Sequence, residues 1–240
     1  MSSAHTIDRW QSSHLGRHFL ACEREAAAPH MAGIAGNFGV QVGVWGGASG
    51  LLGPCRIRNK WVIDINASDS TGLCSNPGQL AVASEVLDTV VLAHVLERVS
   101  NPHNVLREAH RVLVGEGQLV VFGFNPWSTW GLPCLMGSGN YPWTERFIGE
   151  TRLRDWLALL DFEITGVKRF FYRPPINNEK FLTRSQFIER IAARWLPIPP
   201  SAYVLITRKK VIGMNPIPVN VKRAESLVNG MTAPTARVLH

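Results

Sequence analysis

The residues best placed to do chemistry stand at the ends of apolar runs. His94 and Glu97 follow the run Leu87-Asp88-Thr89-Val90-Val91-Leu92-Ala93. Histidine changes charge near neutral pH, so His94 can orient a polar substrate or take a proton from it, with Glu97 beside it. An equal alternative makes His94 a cap that bonds backbone at a strand end. Upstream, Gly43, Gly46 and Gly47 close the run Phe38 to Trp45, and Asp64 stands about twenty residues beyond Gly43. In open parallel sheets that is the separation between a glycine turn that admits a ligand to the backbone and the acid that partners it. His14 and His18, one helical turn apart, could grip a metal from one face; with no third ligand nearby they are read as a packed or solvent-facing pair, and no metal is expected. Cys22, Cys55, Cys74 and Cys134 form no C-x-x-C pair, which excludes a cysteine zinc site and points to reduced thiols in the cytoplasm.

The elements that must position these residues follow from periodicity. Apolar residues at helical spacing predict a helix over 7–31, ending near Pro29. A buried strand over Phe38–Trp45 then leads through the glycines, Trp61–Ile65 is a second strand, and a weak third lies around Gly72–Ser75. Leu87–Ala93, a helix from Pro102 to Gly115 and the strand Gly117–Phe124 make a βαβ unit, hence a parallel sheet with helices on its faces. Asn125–Gly149, rich in Pro, Gly and Trp, is a long loop; its Trp127, Trp130, Tyr141 and Trp143 could line an apolar pocket. A helix over 150–160 and strands Phe162–Phe171 and Ala202–Ile206 complete the series. Phe181, Phe187, Ile188, Ile191 and Trp195, at helical spacing between proline pairs, are read as packing onto the domain. The division is therefore an N-terminal helical segment (1–32), a domain over 33–210 with the 125–149 loop and a 172–200 insertion, and a tail over 211–240.

The stretch Leu87 to Phe124, D-x-V-x-x-x-H-V-L-E followed by P-H-x-V-L-R-E-A-x-R-V-L-x-x-x-G-x-L-V-V, resembles the class I S-adenosylmethionine-dependent methyltransferases, in particular the methyltransferase type 11 group of proteobacterial proteins. Leu153-Arg154-Asp155-Trp156-Leu157 through Glu163 is similar to that family's penultimate helix and strand. The resemblance implies an α/β fold: a Rossmann-like, mostly parallel class I methyltransferase sheet with an antiparallel last strand and helices on both faces. It also implies S-adenosyl-L-methionine as cofactor, held by Gly43, Gly46, Gly47, Asp64, Asn76 and His94, with Asp64 on the ribose hydroxyls and His94 and Glu97 near the sulfonium and substrate. Three departures stand out. Gln41 replaces the acid of the first strand, the glycine motif is altered, and Ser75 and Asn76 replace the acid that touches adenine. Between Asp64 and Asp88 there is also too little chain for a full helix besides the third strand, so one crossover helix is expected to be truncated. Asn125-Pro126-Trp127 invites comparison with the N-P-P-aromatic motif of amino-group methyltransferases, although here it follows the fifth strand and not the fourth. Asn125, Trp127 and Tyr141 are the substrate-side candidates, with a turn-forming role for Asn125 as the alternative.

The chain has 240 residues, 45% hydrophobic and 18% charged, with a formal net charge of +7. The apolar share excludes a disordered chain, and charges interrupt every run well before the ~20 residues of a membrane span. Six basic residues against one acid lie between Thr207 and His240. Most of the excess charge thus sits at and beyond the last strand, running into a tail expected to be mobile, which argues against a nucleic-acid substrate. The functional expectation is methyl transfer to a small-molecule acceptor; the alternatives are a catalytically degenerate binding or scaffold protein of the same fold and, third, a nucleic-acid methyltransferase. Neither the acceptor nor the oligomeric state is legible in the sequence.

Overall fold

The apolar runs assemble into one twisted sheet. The computed structural model describes residues 3–46, 50–66, 71–132, 147–175 and 199–211. Its strands are β1 (Ala35–Val42), β2 (Arg56–Asp64), β3 (Leu73–Cys74), β4 (Leu87–Ala93), β5 (Leu113–Phe124), β6 (Phe162–Phe170) and β7 (Ala202–Lys209), in the order β3-β2-β1-β4-β5-β7-β6. The first five pair in parallel. β7, last in the chain, lies antiparallel between β5 and β6. This is the α/β architecture that the resemblance implied.

Strand alternation divides the core into two layers. Val91 and Ala93 of β4, Val120 and Phe122 of β5, and Val204 and Ile206 of β7 share one layer with Phe19, Leu20, Ala26 and Ala27 of α2 (His14–Met31). Val90, Leu92, Leu119, Val121 and Leu205 face the other way, onto Val105, Leu106, Ala109 and Val112 of α3 (Pro102–Val112) and Leu153 and Leu157 of α4 (Glu150–Leu159). Pro102 fits the first turn of α3, and Asn101 Oδ1 accepts the Asn104 N–H at 3.2 Å to cap it. The helix stops at Val112 because the chain passes straight into β5.

Four boundaries differ from the sequence expectation. The helix expected over 7–31 is two helices, α1 (Ser3–Gln11) and α2. Ser13 caps the second, its Oγ accepting the Gly16 N–H at 3.0 Å. Only glycine allows so sharp a break, since a Cβ at Gly16 would sit 2.1 Å from Trp10 O. β1 ends at Val42 and not at Trp45, because Gly43 takes φ +90° and turns the chain out of the sheet. β2 reaches back to Arg56; its first half is largely exposed and carries Arg56, Arg58 and Lys60, so it lacks the apolar signature of a central strand. β5 likewise begins at Leu113, inside the span expected for the preceding helix.

The shortened crossover is present as expected. Residues 75–86, joining β3 to β4, contain no helix. They are pinned to α3 instead: Arg111 donates to Leu80 O (3.2 Å), Val82 O (2.8 Å) and Ser84 Oγ (2.9 Å), while Glu108 Oε1 accepts the Leu80 N–H at 2.7 Å. Two side chains thus do for this link what a crossover helix would do by packing. The stripe Phe181–Trp195, Gly47, Tyr141, Trp143 and the tail beyond Val211 lie outside the described residues.

Candidate active site

The carboxyl ends of β1, β2 and β4 meet at the glycine turn. Gly43 is forced by two constraints: its φ of +90°, and a neighbour so close that a Cβ would lie 2.6 Å from Val95 Cγ2. Gly46 also has positive φ, but a Cβ there would meet nothing nearer than 3.5 Å. A Cβ at Gly46 would thus be in ordinary van der Waals contact with Gly50 and Arg24, and it is the φ of +81° that favours glycine there. The turn is held from beneath by Gln41, which is fully buried: its amide nitrogen donates to Gly43 O (2.9 Å) and Trp45 O (3.0 Å), and its oxygen accepts the Leu51 N–H (2.6 Å).

Asp64, at the end of β2, is brought against this turn. Its Oδ2 accepts the Val44 N–H at 2.8 Å; its Oδ1 accepts those of Ile65 (2.7 Å) and Asn66 (3.4 Å). A carboxylate has about four acceptor sites, and among the described residues these three N–H groups occupy three of them. Asn76 lies close by, because Ser75 donates its N–H to Asp64 O at 2.9 Å. The Asn76 side chain closes a local turn through Gly78 N–H at 2.9 Å.

His94 leaves β4 with φ +51° and is 2% exposed. Its ring packs against Trp45 and Phe124, with centroids 4.4 and 4.2 Å away. Nε2 is 2.7 Å from Glu23 Oε1, and Glu23 Oε2 accepts the Trp45 Nε1–H at 2.6 Å. Glu97 Oε1 accepts the Phe124 N–H at 2.8 Å and lies 4.0 Å from His94 Nδ1. Burial raises the Glu97 carboxyl above its ordinary range, with His94 and the Phe124 N–H opposing the rise. His94 Nδ1 and Glu97 Oε2 are buried and have no hydrogen-bond partner among the described residues.

Gly43, Gly46, Asp64, His94 and Glu97 are thus gathered at one edge of the sheet. Asn125 stands at the end of β5 with both amide atoms engaged by backbone: Oδ1 accepts the Trp127 N–H at 3.1 Å and Nδ2 donates to Pro200 O at 3.0 Å. Trp127 projects into solvent at 70% exposure, whereas Trp130 is buried against Phe19. His14 is exposed and pairs with Arg17 at 3.3 Å, and His18 meets the Arg173 guanidinium.

Glu23 was missed from the sequence. A signal was present: the buried stripe of α2 runs Leu15, Phe19, Glu23, Ala26, Ala27, and a carboxylate on an apolar stripe needs a buried partner. Trp10, His14, His18 and Cys22, each four residues from the next, form the neighbouring, more exposed stripe.

A family model described as a methyltransferase domain (Methyltransf_11) matches residues 59–121, from β2 into β5. The match takes in the middle of the sheet, and the sheet order is that of the class I methyltransferase fold. Over 102 residues it is 40% identical to Uncharacterized protein YafS of Escherichia coli (strain K12); the match covers 42% of this chain and 42% of that protein, so the chain spans less than half the length of this curated relative. A SAM-dependent methyltransferase of Thermotoga maritima, described as a possible histamine N-methyltransferase, superposes with TM-score 0.62 at 19% identity over 87% of this chain and 96% of that one. The N-methyltransferase NodS of Bradyrhizobium japonicum, in complex with S-adenosyl-l-homocysteine, gives 0.55 at 12% identity over 87% and 99%. At these identities the two structures are alike in fold.

Proposed function

We propose that the chain transfers a methyl group from S-adenosylmethionine to a small-molecule acceptor at the carboxyl ends of β1, β2 and β4. The observation that carries this reading is the contact between Asp64 and the glycine turn, where Asp64 Oδ2 accepts the Val44 N–H at the carboxyl ends of β1 and β2. The residues present fit the nucleoside end of the cofactor. Asp64 takes a ribose hydroxyl, the turn Gly43–Gly46 presents its backbone beside it, and Asn76 borders the base. At the amino-acid end Gln41 is committed to the turn, so no first-strand acid serves there.

The cofactor supplies an already activated methyl group, and much of the rate in such a transfer comes from alignment of the two reactants. The chain's own part is to hold and orient. His94 and Glu97 handle the proton that a nitrogen or oxygen acceptor must release. Asn125 and Trp127 follow the end of β5, with Trp127 exposed toward the acceptor side. Among the described residues no helix is long and apolar enough to cross a membrane; a cytoplasmic setting belongs to the proposal.

A binding or scaffold role is the second reading. It is favoured by the commitment of Gln41 and by the burial of His94, 2% exposed. Calorimetric titration with S-adenosylmethionine and S-adenosylhomocysteine decides between them. Heat of binding at micromolar to millimolar ligand supports the enzyme, and no heat and no thermal shift at millimolar ligand overturns it.

A further inference from the structure

Glu23 has no part in the reading above, yet it joins the glycine turn to the end of β4. It arrives from α2, is fully buried, and accepts from Trp45 Nε1 with one oxygen while the other faces His94 Nε2. We propose that Glu23 is a positioning residue for His94, holding the ring with its proton on Nε2 and turning the Nδ1 lone pair toward Glu97, so that His94 becomes the proton acceptor at this edge of the sheet. The inference rests on the methyl-transfer reading for the identity of the proton, but not for the geometry.

The argument begins with the carboxylate. An ionised carboxylate only accepts hydrogen bonds, so the nitrogen 2.7 Å from Glu23 Oε1 must carry a hydrogen. In a neutral ring the other nitrogen then bears the lone pair. Burial among Trp45, Phe124 and Phe19 holds the ring in this orientation. Nδ1 has no partner among the described residues, and the only carboxyl facing it is Glu97, at 4.0 Å. A carboxylate that fixes the tautomer of a base is a recurring arrangement where a nucleophile must lose a proton. Here the balance is simple. The acceptor's lone pair forms the new bond to carbon, the methyl's old bond leaves its electron pair on the donor sulfur, and the acceptor's proton goes to Nδ1.

Long-range 15N NMR of the imidazole nitrogens tests the proposal, with the His94 signals assigned by their loss in His94→Asn. In the wild type near pH 8, Nε2 should be pyrrole-like and Nδ1 pyridine-like. Glu23→Gln should reverse the tautomer ratio by tenfold or more. The glutamine oxygen keeps the Trp45 N–H, so its NH2 group faces the ring and demands a lone pair on Nε2. An Nδ1–H or doubly protonated ring in the wild type overturns the proposal, as does an unchanged ratio in Glu23→Gln. A carboxylate that merely packs would leave the ratio where it was. Calorimetry with S-adenosylmethionine on the same samples separates the two claims: absence of wild-type binding removes the methyl-transfer reading, while the tautomer result decides the role of Glu23.

Discussion

Gln41→Glu is the substitution that most directly tests how the glycine turn is built, because it restores the acid that the family resemblance places in the first strand. The wild-type side chain makes three hydrogen bonds, two as a donor to Gly43 O and Trp45 O and one as an acceptor from the Leu51 N–H. A carboxylate keeps the last and loses the other two, at about 0.5–1.5 kcal/mol each. It also aims a buried negative charge at two carbonyl oxygens, and the group responds by taking up a proton, at 1.36 kcal/mol per unit of pKa displacement. The total is about 3 kcal/mol or more at pH 8. With an m-value of about 1–3 kcal/mol/M in urea, the unfolding midpoint should fall by about 1 M or more. The sign with pH follows from linkage. A carboxyl whose folded pKa is raised contributes stability that is full below its unfolded pKa and is lost as pH rises through the folded value. The deficit against wild type should therefore shrink between pH 8 and pH 5. A variant as stable as wild type at pH 8, or a deficit that does not change with pH, would refute the reasoning.

Three further substitutions follow from the same geometry. Asp64→Ala should weaken S-adenosylmethionine binding by about 1.5–3 kcal/mol, the scale of a hydrogen bond to a charged group, and an unchanged dissociation constant in calorimetry would remove Asp64 from the site. Glu97 is held above its ordinary range by burial, so its contribution to stability is present below the unfolded pKa and lost as pH rises through the folded one. Glu97→Gln keeps an acceptor for the Phe124 N–H and should gain on wild type in urea midpoints between pH 5 and pH 9; parallel curves would contradict this. Arg111→Ala unpins the 75–86 link and should cost about 1.5–3 kcal/mol. Hydrogen exchange at the Leu80 amide should accelerate with it, and unaltered protection there would show that the link is held by other contacts.

Much of the sheet was legible because buried strands leave continuous apolar runs. β4 and the βα unit after it were read from Leu87–Ala93 and from the stripe Val105, Leu106, Ala109, Val112, and the resemblance carried by the same residues supplied the strand order. Polar segments hid what they did. The charged first half of β2 gave no strand signal, and the break between α1 and α2 was invisible because helical periodicity runs across it. Within the site, Asp64, His94 and Glu97 could be placed at strand ends, since those positions follow from the chain order alone.

What the sequence by itself determined is the layered α/β fold, the shortage of chain for one crossover, and the residues standing at the carboxyl edge. These depend on local period and on spacing along the chain. The partnerships were decided by the tertiary structure. Glu23 and His94 are separated by 71 positions and meet only because α2 lies across the sheet. Gln41 is committed to a turn whose path depends on how closely β1 approaches Val95. A hydrogen bond needs two groups within about 3 Å, and for residues far apart in the chain only the packing of the whole domain sets that distance.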